Sequence, residues 1–152
     1  MDPLTLVTSI TGIAAVSLQT ARRLDQLLEK FQNAGVTITA LSSQCHAIRA
    51  GLGELQSLVA LNNRIHGRPD VLAVFDSTLT GCMVVLSCLD SDVEKLRDAE
   101  TATSSKRQQR WSIKRFWVKA TIVWKEDQMQ SYLKLLQGQQ TALSFLVQLL
   151  QM

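Results

Sequence analysis

Proline, glycine and charge are all scarce in this sequence. Of its 152 residues, 2 are proline, 7 are glycine and 19% are charged, whereas 46% are apolar. So few chain breakers with so much apolar material are typical of one compact domain with a sizeable core. The same composition excludes intrinsic disorder and a low-complexity tail.

Residues that carry chemistry are also few. The three cysteines form no CxxC pair, so a disulfide scaffold is not expected, and Cys45 falls in an apolar pattern typical of a buried thiol. His46 and His66 have no zinc-ligand spacing, so we expect no metal and no other cofactor. Phosphate-binding glycine loops and the GxSxG motif are missing. The sequence therefore predicts a protein that is not an enzyme.

Two segments place apolar residues three and four positions apart, which is the period of an amphipathic helix and not of a strand. The first contains Ile38, Leu41, Cys45, Ile48, Leu52, Leu55 and Val59. The second contains Leu72, Phe75, Leu79, Cys82, Leu86, Leu89, Val93 and Leu96. Each segment predicts one long helix.

Three more helices are predicted from the remaining sequence. A first helix begins at Pro3, a residue suited to a first turn, and presents Ile10, Ala14, Ala21, Leu24, Leu28 and Phe31 on one face. After a loop at Thr101–Gln109, a shorter helix carries Ile113 to Trp124, and a last helix follows at about Asp127–Gln151. The predicted fold is all-α, a mostly antiparallel bundle of four long helices and one shorter one.

The first helix is unusual because no residue from Pro3 to Ala21 is charged. Its large apolar residues exceed what a single stripe needs, so the helix is either largely enclosed by the bundle or able to enter a bilayer. Sequence alone leaves both alternatives open. The candidate membrane-insertion residues are Leu4, Leu6, Val7, Ile10, Ile13, Val16 and Leu18.

The charges elsewhere are grouped by sign. A run from Asp90 to Glu100 is acidic, and we expect it to be a solvated face. A later run has six basic residues and no acid, and it predicts contact with anionic lipid headgroups, with a solvated outer face as the alternative. Nucleic acid is not expected, because Phe116 and Trp117 share the apolar face and form no stacking platform. The basic residues are Lys106, Arg107, Arg110, Lys114, Arg115 and Lys119.

The order of these helices resembles a known family. The opening Met1-Asp2-Pro3-Leu4, the uncharged first helix and two later leucine-rich motifs are similar to the HeLo-like N-terminal domain of fungal proteins, also known as the fungal STAND or azaphilone pigment cluster protein N-terminal domain. The later motifs are Tyr132-Leu133-Lys134-Leu135-Leu136 and Leu143-Ser144-Phe145-Leu146. The resemblance covers essentially residues 1–152, as a single domain.

The resemblance implies a cell-death effector or signalling domain placed ahead of NACHT, NB-ARC, ankyrin or amyloid-motif regions. It implies self-association in the cytoplasm and, on activation, insertion of Leu4 to Leu18 into the plasma membrane. Since the sequence ends in an apolar helix with no capping signal, we expect more protein to follow. The alternative is a soluble helical adaptor or oligomerisation module without membrane activity.

If the basic run contacts headgroups, changing Arg110, Lys114 and Arg115 to Glu will weaken cosedimentation with anionic vesicles. The loss will be largest at low ionic strength, because salt screens exposed charges. Binding that does not depend on salt in the unmodified protein would contradict the headgroup interpretation.

Overall fold

The computed structural model describes residues 3–30, 35–61, 68–104 and 110–151, with side chains at 5–27, 36–61, 68–95 and 127–151. The described residues form four α-helices and no strand. They are α1 (Pro3–Lys30), α2 (Gly35–Leu61), α3 (Pro69–Ser104) and α4 (Arg110–Gln151). The all-α prediction is confirmed.

The predicted count of five helices is wrong, because the shorter helix and the last helix are one. Helix α4 runs for 42 residues without interruption. It contains no glycine or proline before Gly138, and long polar residues such as Lys125 and Glu126 favour helix at the expected break. The predicted loop at Thr101–Gln109 begins too early, because α3 continues to Ser104; residues 105–109 lie outside the described part.

The predicted stripes of α2 and α3 form the centre of the core. All seven stripe residues of α2 are buried, and six of the eight in α3 are buried. Of the other two, Leu72 is half-buried and Leu96 has no described side chain. Helix α4 adds Leu136, Leu143 and Leu146 to the same core. The 3 and 4 spacing was therefore sufficient to identify these inward faces.

The predicted inward face of α1 is partly wrong. Ala14 is only half-buried, and two hydroxyl residues lie in the core instead. Leu28 and Phe31 lie outside the described side chains. The buried residues follow one seam of alternating spacing 4 and 3, and all are at most 5% exposed. They are Leu6, Ile10, Ile13, Ser17, Thr20, Leu24 and Leu27, and the predicted inward residue Ala21 is fully buried beside them.

The helices form a ring in which α1 packs against α2 and α3, and α4 packs against the same two helices. Side-chain contacts show the relative directions of the helices. Thr11 meets Gln56 and Asp25 meets Ser42, so α1 and α2 are antiparallel.

On the other side of the ring, Tyr132 meets Asp92 and Gln139 meets Cys82, so α3 and α4 are antiparallel too. Helices α2 and α4 run in the same direction, since Leu41 shares a cleft with Met129 and Gly51 lies near Leu143. Therefore α1 and α3 are parallel as well. The prediction of mostly antiparallel neighbours holds for two of these four pairs, because the consecutive helices α2 and α3 lie on the diagonal.

This topology separates charge along the bundle. The N-terminal parts of α1 and α3 and the C-terminal parts of α2 and α4 share one end, which we call the low-charge end. It comprises residues 3–21, 50–61, 69–89 and 135–151. These segments contain no Lys, Arg or His, and their only charged residues are Glu54, Asp70 and Asp76. Arg68, which directly precedes α3, lies 3.9 Å from Asp70 at this end, and the opposite end carries the ion pairs described below.

Two leucines of α2 provide a matched test of this core. Leu52 is fully buried, whereas Leu61 is 84% exposed. We expect Leu52→Ala to lower the free energy of unfolding by about 2 to 5 kcal/mol, through lost burial and the cavity that remains. Leu61→Ala should leave it nearly unchanged. Urea denaturation followed by circular dichroism measures both, and equal effects would contradict the described core.

Candidate functional site

Three of the predicted membrane-insertion residues lie in the core on the inward side of α1. Leu6 and Ile10 are fully buried and Ile13 is 5% exposed. Val7, Val16 and Leu18 are half-buried, and the side chain of Leu4 lies outside the described residues. In this resting arrangement the apolar surface of α1 is covered by α2 and α3.

The outward side of α1 contains no large apolar residue and no charge before Arg22. It exposes Thr8, Gly12, Ala15 and Gln19, and a Cβ atom built at Gly12 would meet nothing within 4 Å. The apolar content of α1 suggested that a purely structural helix would be largely enclosed by the bundle. The structure instead leaves this outward side of the helix open. Both sides of its N-terminal half are uncharged.

Ser17 occupies a core position and ties α1 to the backbone of α2. Its hydroxyl donates to the carbonyl oxygen of Cys45 at 2.6 Å, and the residue is fully buried. A carbonyl oxygen has two lone pairs, so this oxygen can accept from Ser17 in addition to its bond within the helix. Because the hydroxyl has this acceptor, Ser17 is buried without leaving an unpaired polar group in the core.

Thr20 and Arg23 tie α1 to α3 through one carboxylate. The Thr20 hydroxyl lies 2.9 Å from the Val16 carbonyl oxygen and 3.2 Å from Asp90 Oδ1. The guanidinium of Arg23 donates to Asp90 Oδ2 at 2.8 Å, and both side chains are less than 20% exposed. Such a half-buried, charge-assisted hydrogen bond is stronger than a solvated surface pair.

A third contact joins α1 to the start of α2. Ser42 donates to Asp25 Oδ1 at 2.5 Å, and His46 Nε2 lies 3.4 Å from Asp25 Oδ2. The carboxylate stands between the hydroxyl and the imidazole, whereas a nucleophilic serine needs the imidazole beside it. This arrangement joins two helices and does not activate Ser42.

These contacts form what we call the polar anchor of α1: Ser17, Thr20, Arg23 and Asp25 with their partners. All four lie in the C-terminal half of the helix. Towards the N-terminus, Gln56 of α2 donates an exposed hydrogen bond to Thr11, at 2.9 Å. The N-terminal half is thus held mainly by apolar packing, which is non-directional.

The anchor was missed in the sequence because its members look like ordinary surface residues. The signal that could have found Ser17 and Thr20 is their place in the 4 and 3 spacing that starts at Leu6 and Ile10. The acidic run was misread for the same reason. Asp90 is half-buried against α1, and Asp92 accepts a hydrogen bond from the Tyr132 hydroxyl at 2.6 Å, so neither belongs to a purely solvated face.

The buried thiols of Cys45 and Cys82 are unreactive. Burial, together with the nearby carboxylates of Asp25 and Asp90, raises the pKa of Cys45 to about 12. Burial raises the pKa of Cys82 to about 11. Since the thiolate is the reactive form, neither residue is a nucleophile at neutral pH. Cys45 is a core residue, as its position in the α2 stripe predicted.

The side chains of the predicted lipid-contact residues lie outside the described part of the chain. Lys106 and Arg107 lie outside the described residues, and Arg110, Lys114, Arg115 and Lys119 lie in α4, where their side chains are not described. Helix α4 runs opposite to α1, so its N-terminus and the N-terminus of α1 point to opposite ends of the bundle. The end from which α4 starts is the end at which α1 leads to α2.

Among the described residues, the segment long and apolar enough to cross a membrane lies in α3. It is Pro69–Lys95, with a mean hydropathy of 1.8 and 39% of its window buried. Core helices of soluble bundles have the same composition, so this is weak evidence for a membrane location. No family model, curated protein or solved structure matches the chain.

Asp90 is the residue on which to test the polar anchor. We expect Asp90→Ala to destabilise the attachment of α1 by about 1 to 3 kcal/mol, because it leaves the half-buried Arg23 without its 2.8 Å acceptor. Amide hydrogen exchange in α1 should accelerate more than exchange in α4. Asp76→Ala, at an exposed position of the same helix, is the control. Equal exchange in the two variants would show that the anchor does not hold α1.

Proposed function

We propose that this chain is a HeLo-like helical domain that acts as a cell-death effector or signalling domain of a fungal immune-type receptor. On activation it oligomerises, α1 leaves the bundle, and residues 4–18 enter and permeabilise the plasma membrane. The observation that carries the proposal is the division of α1. Its N-terminal half has no charge on either side and packs three core residues, Leu6, Ile10 and Ile13, whereas the buried and half-buried hydrogen bonds from Ser17, Thr20 and Arg23 to other helices lie in its C-terminal half.

This division favours the transfer of the N-terminal half to lipid. Acyl chains are as apolar as the leucines that surround Leu6 and Ile10 in the core, so those side chains lose little by exchanging one environment for the other. The hydroxyls of Thr8 and Thr11 remain within reach of their own helix, as the Thr11 bond to the Val7 carbonyl at 2.8 Å illustrates. The charged residues Arg22, Arg23 and Asp25 would stay at the interface.

The topology supplies a pivot for this movement. Helix α1 leads to α2 at the end of the bundle from which α4 starts, and α4 begins with the basic run. Rotation of α1 about that end keeps it joined to α2 and brings it to the side of the cations. Anionic headgroups attract each nearby Lys or Arg by about 1 kcal/mol. In the proposal the partners are therefore anionic lipids, other copies of the domain, and the receptor regions that the family resemblance implies.

A soluble adaptor or oligomerisation module is the second candidate function. It is favoured by the complete burial of Leu6 and Ile10, together with Ile13 at 5% exposure. These residues complete the core between α2 and α3, and their removal would expose the apolar groove beneath. In that case α1 is a permanent part of the fold and lipid is irrelevant.

The burial of Leu6 and Ile10 also decides which variants are informative. A lysine at either position would put a charge into the core and unfold the resting bundle under both hypotheses. The outward position Gly12 avoids this problem. Its added side chain would point into open space, and the same is true of Gly53 on α2.

We expect Gly12→Glu to fold normally and to lose leakage of dye from vesicles. A charged side chain near the centre of a bilayer costs on the order of 3 kcal/mol, and position 12 lies within the inserting segment. Gly53→Glu carries the same charge outside that segment and should leak like the unmodified protein. Leakage is measured on zwitterionic and anionic vesicles, with circular dichroism of each variant.

The same leakage experiment includes the Asp90→Ala variant, in which the attachment of α1 to α3 is already weakened. If the proposal is correct, this variant leaks faster than the unmodified protein, because less of the anchor has to be broken. Identical leakage by Gly12→Glu and Gly53→Glu would contradict insertion of α1. The absence of leakage from both the unmodified protein and Asp90→Ala would favour the adaptor.

A further inference from the structure

Helix α3 carries a second seam beside the one that faces the core. Val74, Ser77, Gly81, Val84 and Cys88 are spaced 3, 4, 3 and 4, so they share one side of the helix. Each directly precedes a buried residue of α3, as Gly81 precedes Cys82. The seam therefore lies about 100° around the helix from the core. Val84 is 56% exposed and Val74 is 39% exposed.

Helix α4 repeats this arrangement. Leu135, Gly138, Ala142, Phe145 and Leu149 have the same spacing of 3, 4, 3 and 4. Each directly precedes an inward residue, as Leu135 precedes the fully buried Leu136. Leu135 is 50% exposed and Phe145 is 53% exposed. Large apolar side chains are thus half in solvent along a regular seam.

The two seams border the same outer groove between α3 and α4. A Cβ atom at Gly81, in the first seam, would lie 2.9 Å from Nε2 of Gln139, which follows Gly138 of the second seam. Each seam is rotated from the inward face of its helix by one residue position. Because α3 and α4 are antiparallel, these two rotations have opposite senses, and both seams turn towards the groove between the two helices. We call these ten positions the α3–α4 face.

The distribution of side chains on this face is symmetric from end to end. Val74 and Phe145 lie towards one end, and Val84 and Leu135 lie towards the other. Small residues occupy the middle, at Ser77, Gly138 and Ala142, where small side chains let helices approach closely; Gly81 lies there too, beneath the side chain of Gln139. Consider a second copy related by a twofold axis that passes through the middle of the face and is perpendicular to the helices. Val74 and Phe145 of one copy would then lie against the end of the other copy that carries Val84 and Leu135.

Charge restricts the occupant further. No residue from Ser77 to Leu89 or from Leu135 to Gln151 is charged, so a charged partner would bury its charges without compensation. A second copy offers a face that is equally uncharged and has the same helical spacing, which suits the interlocking of side chains seen in coiled coils.

We propose that two copies of this chain associate through their α3–α4 faces to form a symmetric dimer. Each seam spans 15 positions, or about 21 Å of helix. A face of two such seams falls at the small end of specific interfaces, so the dimer is weak and forms at micromolar concentrations. The inference rests on the self-association already contained in the proposed function and deepens it, by naming the face that joins two resting copies in the absence of lipid.

Sedimentation equilibrium of the 152-residue chain over about 5 to 200 µM tests the dimer in the concentration range of a weak interface. The apparent mass should rise from 16.9 kDa towards twice that value. Val84→Glu and Phe145→Glu should each weaken association by at least about tenfold. Val36→Glu and Leu61→Glu are the controls, since these residues are 87% and 84% exposed at the ends of α2, away from the face.

Circular dichroism of all four variants keeps the comparison to folded protein, and the mutated positions are all exposed. A mass of 16.9 kDa at every concentration would overturn the proposal, even if the protein bound vesicles through the same face. A dimer that the face variants and the control variants disturb equally would also overturn it. The buffer contains no lipid, so failure of the dimer and failure of membrane leakage are separate results.

Discussion

One carboxylate ties α1 to α3. Asp90 lies 2.8 Å from the guanidinium of Arg23 and 3.2 Å from the hydroxyl of Thr20, and it is the point at which α1 is tied to α3. The bond from Ser17 to the Cys45 carbonyl ties the same part of α1 to α2. Polar contacts have preferred directions, whereas apolar packing does not. These two contacts therefore set the register of α1, while Leu6 and Ile10 contribute burial.

The separation of charge along the bundle gives this arrangement its functional meaning. Four segments from distant parts of the chain meet at the low-charge end, and none of the four contains Lys, Arg or His, although Arg68 directly precedes α3. The N-terminal half of α1 and the α3–α4 face both belong to that end. A surface of this kind loses little hydration when it meets lipid or an equally uncharged protein, because no cation has to be desolvated. The proposed insertion of α1 and the proposed dimer both depend on this property.

Much of the fold was predictable because helical spacing is a local property. The stripes of α2 and α3 contain few polar interruptions, and their inward residues were identified correctly from Ile38 to Val59 and from Phe75 to Val93. The predictions failed where polarity and burial disagree. Ser17 and Thr20 are buried because specific acceptors satisfy them, and a residue type alone does not reveal an acceptor on another helix. The junction near Lys125 was predicted as a break between two helices, although no residue there ends a helix.

The sequence by itself determined that the chain is helical, that its first helix is uncharged, and which sides of α2 and α3 face inward. Only the tertiary structure decided which helices are neighbours. It placed α2 and α3 on the diagonal, paired Arg23 with a carboxylate 67 positions away, and directed the basic end of α4 away from the N-terminus of α1. The physical reason is that helix formation depends on residues a few positions apart, whereas ring order depends on contacts between segments far apart in the chain, which leave no periodic signal in any one of them.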